Sequence, residues 1–206
     1  MNAIPAAASA PQVCLTFDDG PDTDWTPRVL DILAAAQVQA TFFMIGRQVR
    51  RWPELARRVA AAGHEVANHT FSHRHPWWMS TRAARSEVRD GTASLSDALG
   101  VQARFYRAPH GRRRRCMTEE AHGAGQAVAS WNRSAIDWGM LGSAQGIARR
   151  LERVADGTVL LMHDGRNQHN RPDQLVQVLP QFLAQLASRG LRSSKLDQPA
   201  FAWALS

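Results

Sequence analysis

The sequence predicts an α/β fold, a distorted and irregular (β/α) barrel formed by a single domain. Short apolar strands alternate with amphipathic helices along the chain, which implies parallel strands covered by helices. Polar residues capable of chemistry follow the first, third, fourth, fifth and sixth predicted strands. A ring of strands brings such residues together on one face, whereas an open doubly wound sheet collects them at one switch point. A closed or nearly closed barrel is therefore favoured over an open sheet.

Apolar segments bounded by Gly, Pro or polar residues predict the strands. They are Val13–Leu15, Ala40–Ile45, Glu65–Asn68, Ala103–Tyr106, Ala127–Trp131, Thr158–Met162 and a final segment Leu191–Leu196.

Apolar residues at helical spacing predict the helices, and caps and breakers predict where they end. Thr26 is the expected N-cap of the first helix, with Pro27 at its first position. Gly63 and Gly100 are the expected C-terminal stops of the second and third helices. The helices are expected at about 27–36, 53–63, 81–99, 118–126, 143–155 and 172–188.

The composition is compatible with one domain that buries a sizeable core. The chain has 206 residues, 44% of them hydrophobic, and a formal net charge of +7. Almost all of its positively charged residues are arginines. Such a balance suits nucleic acid, an anionic lipid or an acidic substrate, and it also suits a merely Arg-rich surface. The two cysteines, Cys14 and Cys116, do not make a disulfide framework, and we expect Cys14 to be a buried thiol.

No apolar run approaches the ~20 residues that span a membrane, and the first eleven residues lack the regions of a signal peptide. We therefore expect a cytoplasmic protein, with its oligomeric state left open. The sequence shows no internal repeat and no linker. We expect an N-terminal tail over residues 1–12, one domain over 13–198 and a C-terminal tail over 199–206.

The stretch Thr16–Pro21 (TFDDGP) places two adjacent carboxylates where the first strand ends. Adjacent residues of an extended chain point to opposite sides, so Asp18 and Asp19 are suited to two different tasks at one place. In α/β folds, ligands and catalytic groups gather at this edge of the sheet. The alternative interpretation is a solvated turn rich in Asp and Gly.

His69 and His73 are separated by three residues, so one helical turn would place them on the same face. With Asp19 as a third ligand, two histidines and one carboxylate form a catalytic metal arrangement that leaves a position for water. A single H-x-x-x-H is also common as a histidine pair on a surface helix. Together with the carboxylate pair, it favours a metal site.

Three further residues are candidates for chemistry. His163 ends an apolar strand and titrates near neutral pH, which suits a general acid or base. Asp137 is able to orient such a histidine and raise its pKa, and Arg107 is able to pair with a carboxylate. Taken singly, each of the three is equally compatible with a solvent-facing residue of a loop or turn.

These segments, in this order, resemble the NodB-homology polysaccharide deacetylases, carbohydrate esterase family 4. Five segments resemble the five motifs of that family, and the resemblance extends from Val13 to Gln198. The five are TFDDGP at Thr16–Pro21, HTFSH at His69–His73, RAPHG at Arg107–Gly111, Asp137-Trp138 and Leu161–His163.

The resemblance implies a distorted (β/α) barrel with fewer than eight regular units. It implies that Asp19, His69 and His73 hold one divalent metal ion. Zinc is the expected metal, and such a site also accommodates Co²⁺ or Ni²⁺.

The resemblance also implies roles for residues around the metal. Asp18 is the expected general base, oriented by Arg107. His163 is the expected general acid, tuned by Asp137.

The substrate side of the site follows from the same resemblance. Trp138 and Leu161 are expected to line the acetyl pocket, and the backbone N–H of His110 is expected in the oxyanion hole. The family usually carries an aromatic residue such as Tyr where this chain has His110. This departure bears on the contacts that the ring makes with substrate.

The expected function is hydrolysis of N-acetyl groups on a chitooligosaccharide or similar GlcNAc-containing glycan, so a carbohydrate is the expected partner. An amidohydrolase of the same fold acting on a formyl or non-sugar amide is an alternative. An inactive carbohydrate-binding protein is a second alternative, against which the intact set of acidic and histidine residues argues. A nucleic-acid-binding module using Arg112–Arg115 is a third, but the run is short and no recognition motif accompanies it, so nucleic acid is not an expected partner.

Overall fold

The computed structural model describes residues 10–197 and 199–206, so most of the predicted N-terminal tail lies outside the described residues. Eight strands form one sheet. They are β1 Gln12–Asp18, β2 Thr41–Met44, β3 Glu65–Asn68, β4 Phe105–Tyr106, β5 Ala127–Val128, β6 Arg133–Ser134, β7 Thr158–His163 and β8 Arg192–Ser193. The expected alternation of strands and helices is confirmed.

The sheet is parallel throughout and curls into a half-barrel. Its strand order is β5-β4-β3-β2-β1-β7-β6, with β8 paired to the start of β1. Because β5 and β6 stand at opposite ends of this order, pairing among the described strands does not close the barrel. The predicted distorted, irregular (β/α) barrel is therefore confirmed as a half-barrel whose two end strands do not pair.

Seven helices in the described part of the chain cover this sheet. They are α1 Thr26–Ala35, α2 Gly46–Arg51, α3 Pro53–Ala61, α4 Thr81–Leu99, α5 Arg115–Gly123, α6 Ala144–Leu151 and α7 Pro172–Ser188. Short 3₁₀ turns occur at Pro76–Trp78, Pro109–Gly111, Gly139–Leu141 and Pro199–Ala204. Within the described ranges, no helix is both long and apolar enough to cross a bilayer.

The central strand β1 is buried on both faces, which explains its almost continuous apolar sequence. Alternate residues point to opposite faces. One set packs in the main core with α1 and α7, and it comprises Val13, Leu15 and Phe17. The other set faces the inside of the curled sheet and runs toward the carboxyl end of β1. It comprises Cys14, Thr16 and Asp18. Cys14 is fully buried, as expected.

The structure differs from the sequence-based prediction at the first helix cap. Thr26 was the expected N-cap, but the N-cap is Trp25 and Thr26 is the first residue of α1. The Thr26 hydroxyl donates to the buried Asp164 carboxylate at 2.5 Å and accepts from the backbone N–H of Asp22 at 2.8 Å. A buried carboxylate needs a donor, and Thr26 supplies one from the first turn of α1.

Several element bounds also differ. α2 and β6 were not predicted, and β4, β5 and β8 are only two residues long. α5 begins and ends three residues earlier than the expected 118–126. The shortened strands lie at or near the edges of the sheet, where curling separates neighbouring strands after a few residues.

Residues 199–206, expected to form a tail, pack against the end of the sheet beside β5. Phe201 is fully buried in the interior of the curled sheet. Leu205 pairs with Ala129 in an antiparallel bridge, and the backbone N–H of Val128 donates to Ser206 O at 2.7 Å. These contacts supply the edge strand with hydrogen bonds that its short pairing with β4 leaves unmade.

We predict that Gly91→Ala destabilises the fold. Gly91 lies on α4 at a close approach to the loop after β3, and a Cβ atom there would lie 2.4 Å from Asn68 Oδ1 and 2.8 Å from the carbonyl carbon of Thr70. Overpacking of this kind costs about 1–3 kcal/mol of unfolding free energy, measured by urea denaturation. Gly123→Ala in α5 is the matched control, because no described atom lies within 4 Å of its Cβ position. Equal stability of the two variants would contradict the packing argument.

Candidate active site and metal centre

Parallel pairing brings the predicted functional residues to one edge of the sheet. Asp18 and His163 are register partners at the ends of β1 and β7. His69 and Arg107 each follow directly after the paired residues Asn68 and Tyr106 of β3 and β4. Residues from four strands therefore meet at the mouth of the curled sheet.

A cavity of about 300 Å³ opens at this mouth. Its lining contains most of the predicted site residues, with Arg107 and Asp137 behind it. The lining residues are Asp18, Asp19, His69, His73, His110, Gly111, Trp131, Trp138, Leu161, His163, Asn167, His169 and Asn170. A larger groove of about 1060 Å³ lies between α1, α7 and β8, but its lining contains none of the predicted catalytic residues.

Asp19, His69 and His73 converge on one point, and their donor atoms fit a divalent cation. Asp19 Oδ1 lies 3.4 Å from His69 Nε2 and 3.1 Å from His73 Nε2. Among the described residues, no donor with hydrogen-bond geometry reaches this buried oxygen. An unpaired buried carboxylate oxygen is costly, and a cation held between these three atoms would remove that cost.

The two histidines are presented by a bent loop and not by a helical turn. Thr70 and His73 both adopt positive φ angles, 67° and 58°. The Asn68 side chain accepts from the Thr70 N–H at 2.9 Å, and Glu87 of α4 accepts from the N–H of Ser72 at 2.8 Å. One local bond and one tertiary bond thus hold the bend, and the two imidazole rings lie at a centroid distance of 4.9 Å.

Burial and mutual charge shift the pKa values of these three residues in different directions. Burial lowers the pKa of His73 to about 4, against the opposing charge of Asp19. Burial would raise the pKa of Asp19, but His69 and His73 hold it well below its usual range. Burial opposes charge on His69 as well, but Asp18 and Asp19 outweigh it and raise its pKa. A bound cation would compete with that proton, because metal ligands must be deprotonated.

The other ring nitrogen of His69 is held by the backbone. His69 Nδ1 lies 2.8 Å from the carbonyl oxygen of Arg107, which can only accept a hydrogen bond. The proton of the neutral ring is therefore on Nδ1, and Nε2 keeps its lone pair toward Asp19.

Asp18 is hydrogen-bonded to a buried arginine, the residue that the family resemblance pairs with it. Arg107 Nη1 donates to Asp18 Oδ1 at 2.7 Å and to Thr16 Oγ1 at 2.7 Å, and Nη2 donates to Ser130 O at 3.3 Å. The guanidinium lies 3.9 Å from the centre of the Phe43 ring. With one oxygen fixed in this way, Asp18 Oδ2 faces the metal ligands, 3.6 Å from His69 Nε2.

His163 and Asp137 form a hydrogen-bonded pair on the opposite wall. His163 Nδ1 donates to Asp137 Oδ1 at 2.9 Å, and the backbone N–H of His163 donates to Asp137 Oδ2 at 2.7 Å. Burial alone would lower the pKa of His163, but the Asp137 carboxylate outweighs it and raises that pKa to about 9. His163 is therefore a cation at neutral pH and is able to donate a proton.

The remaining predicted residues form the cavity wall. Leu161 is buried, and the Trp138 ring stands edge-on to His163 with a centroid distance of 5.3 Å. His110 is exposed, has a φ of 57°, and its ring centre lies 4.5 Å from that of His73. The imidazole thus stands beside the metal ligands where the family has an aromatic ring.

The Arg112–Arg115 run is exposed at three of its four positions. Arg114 is the exception: its Nη1 donates to Pro76 O at 2.8 Å and to Met79 O at 2.7 Å. This arginine therefore anchors the turn that carries Trp77 and Trp78. The other three side chains are exposed, with Arg113 donating to Ser130 and Arg115 paired with Glu119 at 2.8 Å.

Sequence reasoning missed four residues of the cavity lining, namely Trp131, Asn167, His169 and Asn170. Trp131 lines it from the end of the segment after β5. Asn167 and Asn170 donate to Asp19 Oδ2 at 3.1 Å and 2.6 Å. Asparagine in a loop is ordinarily a turn residue, so the residue type alone gave no signal. The one available signal for the two asparagines was their position in the loop that follows His163.

Comparison with known proteins agrees with this geometry. The sequence profile of the polysaccharide deacetylase family matches residues 6–129. A chitooligosaccharide deacetylase of Sinorhizobium fredii is 34% identical over 201 residues, covering 94% of each chain. A peptidoglycan-N-acetylglucosamine deacetylase of Bacillus cereus is 32% identical over 182 residues, covering 87% of this chain and 84% of the relative.

Solved structures show the same fold. The family 4 carbohydrate esterase from Streptomyces lividans, solved in complex with acetate, superposes with a TM-score of 0.83 at 27% identity. The superposition covers 95% of this chain and 96% of the esterase. Fold, motif order and cavity thus agree with one another, and the family together with the Asp19, His69 and His73 cluster supports a divalent metal.

We predict that His69→Ala and His73→Ala each lose most bound metal, because each removes one of three protein ligands. Purified proteins are to be loaded with Zn²⁺, dialysed against metal-free buffer and analysed by elemental mass spectrometry. Asp18→Asn is the control: it lies in the same cavity but outside the ligand set, and we expect it to retain metal. Full retention by both histidine variants would refute the assignment of the ligands.

Proposed function

Because the chain belongs to the polysaccharide deacetylase family, we propose that it hydrolyses N-acetyl groups on a GlcNAc-containing glycan. One arrangement carries the proposal. The Asp19–His69–His73 cluster lies between an arginine-oriented carboxylate and a cationic histidine, in one cavity. Amide hydrolysis needs these three components: an electrophilic centre, a base for water and an acid for the amine.

The three ligands would hold one divalent ion, and we propose Zn²⁺, because two imidazoles and one carboxylate with an open position is a catalytic zinc set. Co²⁺ and Ni²⁺ accept the same ligands. When bound, such an ion polarises the acetamide carbonyl and lowers the pKa of water.

Asp18 is the proposed general base. Its Oδ1 is held by Arg107, so Oδ2 is left to accept a proton from the attacking water. Arg107 is buried and also bonded to Thr16 and Ser130, so the carboxylate is held in one orientation before the substrate binds. As Asp18 accepts this proton, the water oxygen becomes nucleophilic and adds to the carbonyl carbon.

His163 is the proposed general acid. The addition product carries an amine that leaves poorly as an anion, and a proton from His163 converts it into a neutral leaving group. The C–N bond then breaks and yields acetate and a free amino sugar. Asp137 acts through His163, since it holds Nδ1 and keeps the ring protonated.

The oxyanion formed on the carbonyl oxygen needs donors, and we propose the backbone N–H of His110 as one of them. His110 lines the cavity next to His73, which supports this placement. One donor of this kind contributes about 3 kcal/mol to the transition state. Trp138 and Leu161 stand on the His163 side, where they would enclose the acetyl methyl group.

We propose a short GlcNAc oligomer as the substrate. The relatives are named for chitooligosaccharide and for peptidoglycan. A cytoplasmic location, which the sequence leads us to expect, would present a soluble or nascent glycan and not a mature wall. Because one relative is named for peptidoglycan, peptidoglycan is the second substrate to be tested.

The test is acetate release by the zinc-loaded protein from GlcNAc oligomers, peptidoglycan, an N-formyl sugar and a non-sugar acetamide. We predict acetate release from the GlcNAc oligomers.

We also predict that Asp18→Asn keeps its metal but lowers kcat by about 10²–10⁴-fold, the typical contribution of a general base. Release from none of the substrates by a metal-loaded protein would contradict the proposed activity, and a near-normal kcat in Asp18→Asn would remove Asp18 from the mechanism.

We predict that Asp137→Asn moves the alkaline limb of the pH–rate profile to lower pH. The Asp137 charge raises the His163 pKa to about 9, so its removal lowers that pKa and deprotonates the acid earlier as pH rises. The limb is expected to move by at least about one pH unit, so activity falls more at about pH 8 than at about pH 6. A uniform loss across the profile would show that Asp137 only supports the fold.

A further inference from the structure

The loop after β7 makes two side-chain contacts with a proposed metal ligand. Asn170 Nδ2 donates to Asp19 Oδ2 at 2.6 Å and to Gly165 O at 3.0 Å, and Asn170 is only 5% exposed. Asn167 Nδ2 donates to the same Asp19 oxygen at 3.1 Å. One carboxylate oxygen of Asp19 is therefore fully occupied by amide donors.

This occupation decides which oxygen faces the two histidines. With Oδ2 held by two amides, rotation of the carboxylate would break both hydrogen bonds, so Oδ1 stays directed at His69 and His73. The donors are neutral amides, so they orient Asp19 without cancelling its charge. A lysine or arginine in the same place would compete with a cation for that charge.

The asparagines are themselves held firmly. Asn167 Oδ1 accepts from the backbone N–H groups of His169 at 2.7 Å and Asn170 at 2.8 Å. Asn170 forms an antiparallel bridge with Trp138, and the N–H of Arg171 donates to the carbonyl oxygen of Asp137 at 2.8 Å.

The start of the loop also lies directly against Asp19. A Cβ atom at Gly165 would lie only 2.2 Å from the backbone oxygen of Asp19. The loop thus has close contacts with the Asp19 segment at one end and hydrogen bonds to the Asp137 segment at the other.

We propose that Asn170, assisted by Asn167, is a positioning residue that orients the Asp19 carboxylate for the metal ion. The inference rests on the metal site of the proposed function and adds two residues outside its ligand set. Outer contacts of this kind hold a ligand in its binding geometry, and their removal costs about 10–100-fold in metal affinity. The loop makes this contact while its backbone bonds to the Asp137 segment, so the metal half and the acid half of the site share one support.

The experiment measures Zn²⁺ affinity directly, by competition with a chromophoric chelator in the absence of substrate. Asn170→Ala is expected to raise the Zn²⁺ dissociation constant by about 10–100-fold. The visible absorption of the Co²⁺-loaded protein is the second readout, because its band shape reports the ligand geometry. We expect it to change in Asn170→Ala as Asp19 rotates.

Asn132→Ala is the matched control. Asn132 also fixes the backbone, with Oδ1 accepting from the Val159 N–H at 3.0 Å and Nδ2 donating to Gly157 O at 3.3 Å, but it does so at the opposite end of β7. This variant is expected to keep the Zn²⁺ affinity and the Co²⁺ spectrum of the parent. A loss of affinity equal to that of Asn170→Ala would overturn the proposal, because it would reflect general loosening of the fold.

An Asn170→Ala protein that binds Zn²⁺ within about twofold of the parent and keeps the parent Co²⁺ spectrum would also overturn the proposal.

If the Asn170→Ala protein does not fold, Asn167→Ala is the variant that tests the proposal, since Asn167 is exposed. Losing its hydrogen bond to Asp19 is expected to weaken Zn²⁺ binding by about threefold or more, and unchanged binding overturns the proposal. A parent that binds Zn²⁺ but releases no acetate contradicts the proposed activity and leaves this inference standing. A parent that binds no Zn²⁺ contradicts both.

Discussion

The structure depends on a buried positive charge, the guanidinium of Arg107, placed inside the curled sheet. Taking such a charge out of water costs several kcal/mol unless partners surround it. Arg107 meets this cost with Asp18 and Thr16 of β1, Ser130 beyond β5 and the face of the Phe43 ring. These partners come from separate strands, so the folded sheet brings them to the two Nη atoms of the guanidinium. The same contacts orient Asp18, so the requirement that stabilises the interior also prepares the proposed base.

Two histidines of the site have pKa values shifted in opposite directions by their surroundings. His73 is partly buried, desolvation dominates there, and its pKa falls to about 4. His163 is partly buried as well, but the adjacent Asp137 carboxylate outweighs desolvation and raises its pKa to about 9. At neutral pH one imidazole is therefore a neutral electron-pair donor and the other a cationic proton donor. The two states are those that a metal ligand and a general acid require.

The two halves of this site are connected through the chain. β1 supplies Asp18 and leads into Asp19, and its neighbour β7 supplies His163. The loop after β7 then returns to Asp19 through Asn170 and to the Asp137 segment through backbone hydrogen bonds. Family membership is consistent with this construction, since the motif residues are those that the strand ends and their loops bring together. The exposed arginines beside His110 stand outside this network.

The sequence by itself determined the elements whose signals are local, together with the residues that meet at the strand ends. β3 and α7 have the predicted bounds because an apolar run or a helical stripe with flanking breakers needs no distant partner. Motif order placed Asp18, Asp19, His69, His73, Arg107 and His163 at one sheet edge, because parallel strands align their carboxyl ends. Tertiary structure alone decided the shape of the loop between His69 and His73, the bonding of Thr26 to Asp164, the two-residue strands and the contact of Asn170 with Asp19. Each of these depends at least in part on a hydrogen-bond partner from another element, such as Glu87 for the histidine loop, and only the folded sheet and its helices bring that partner within reach.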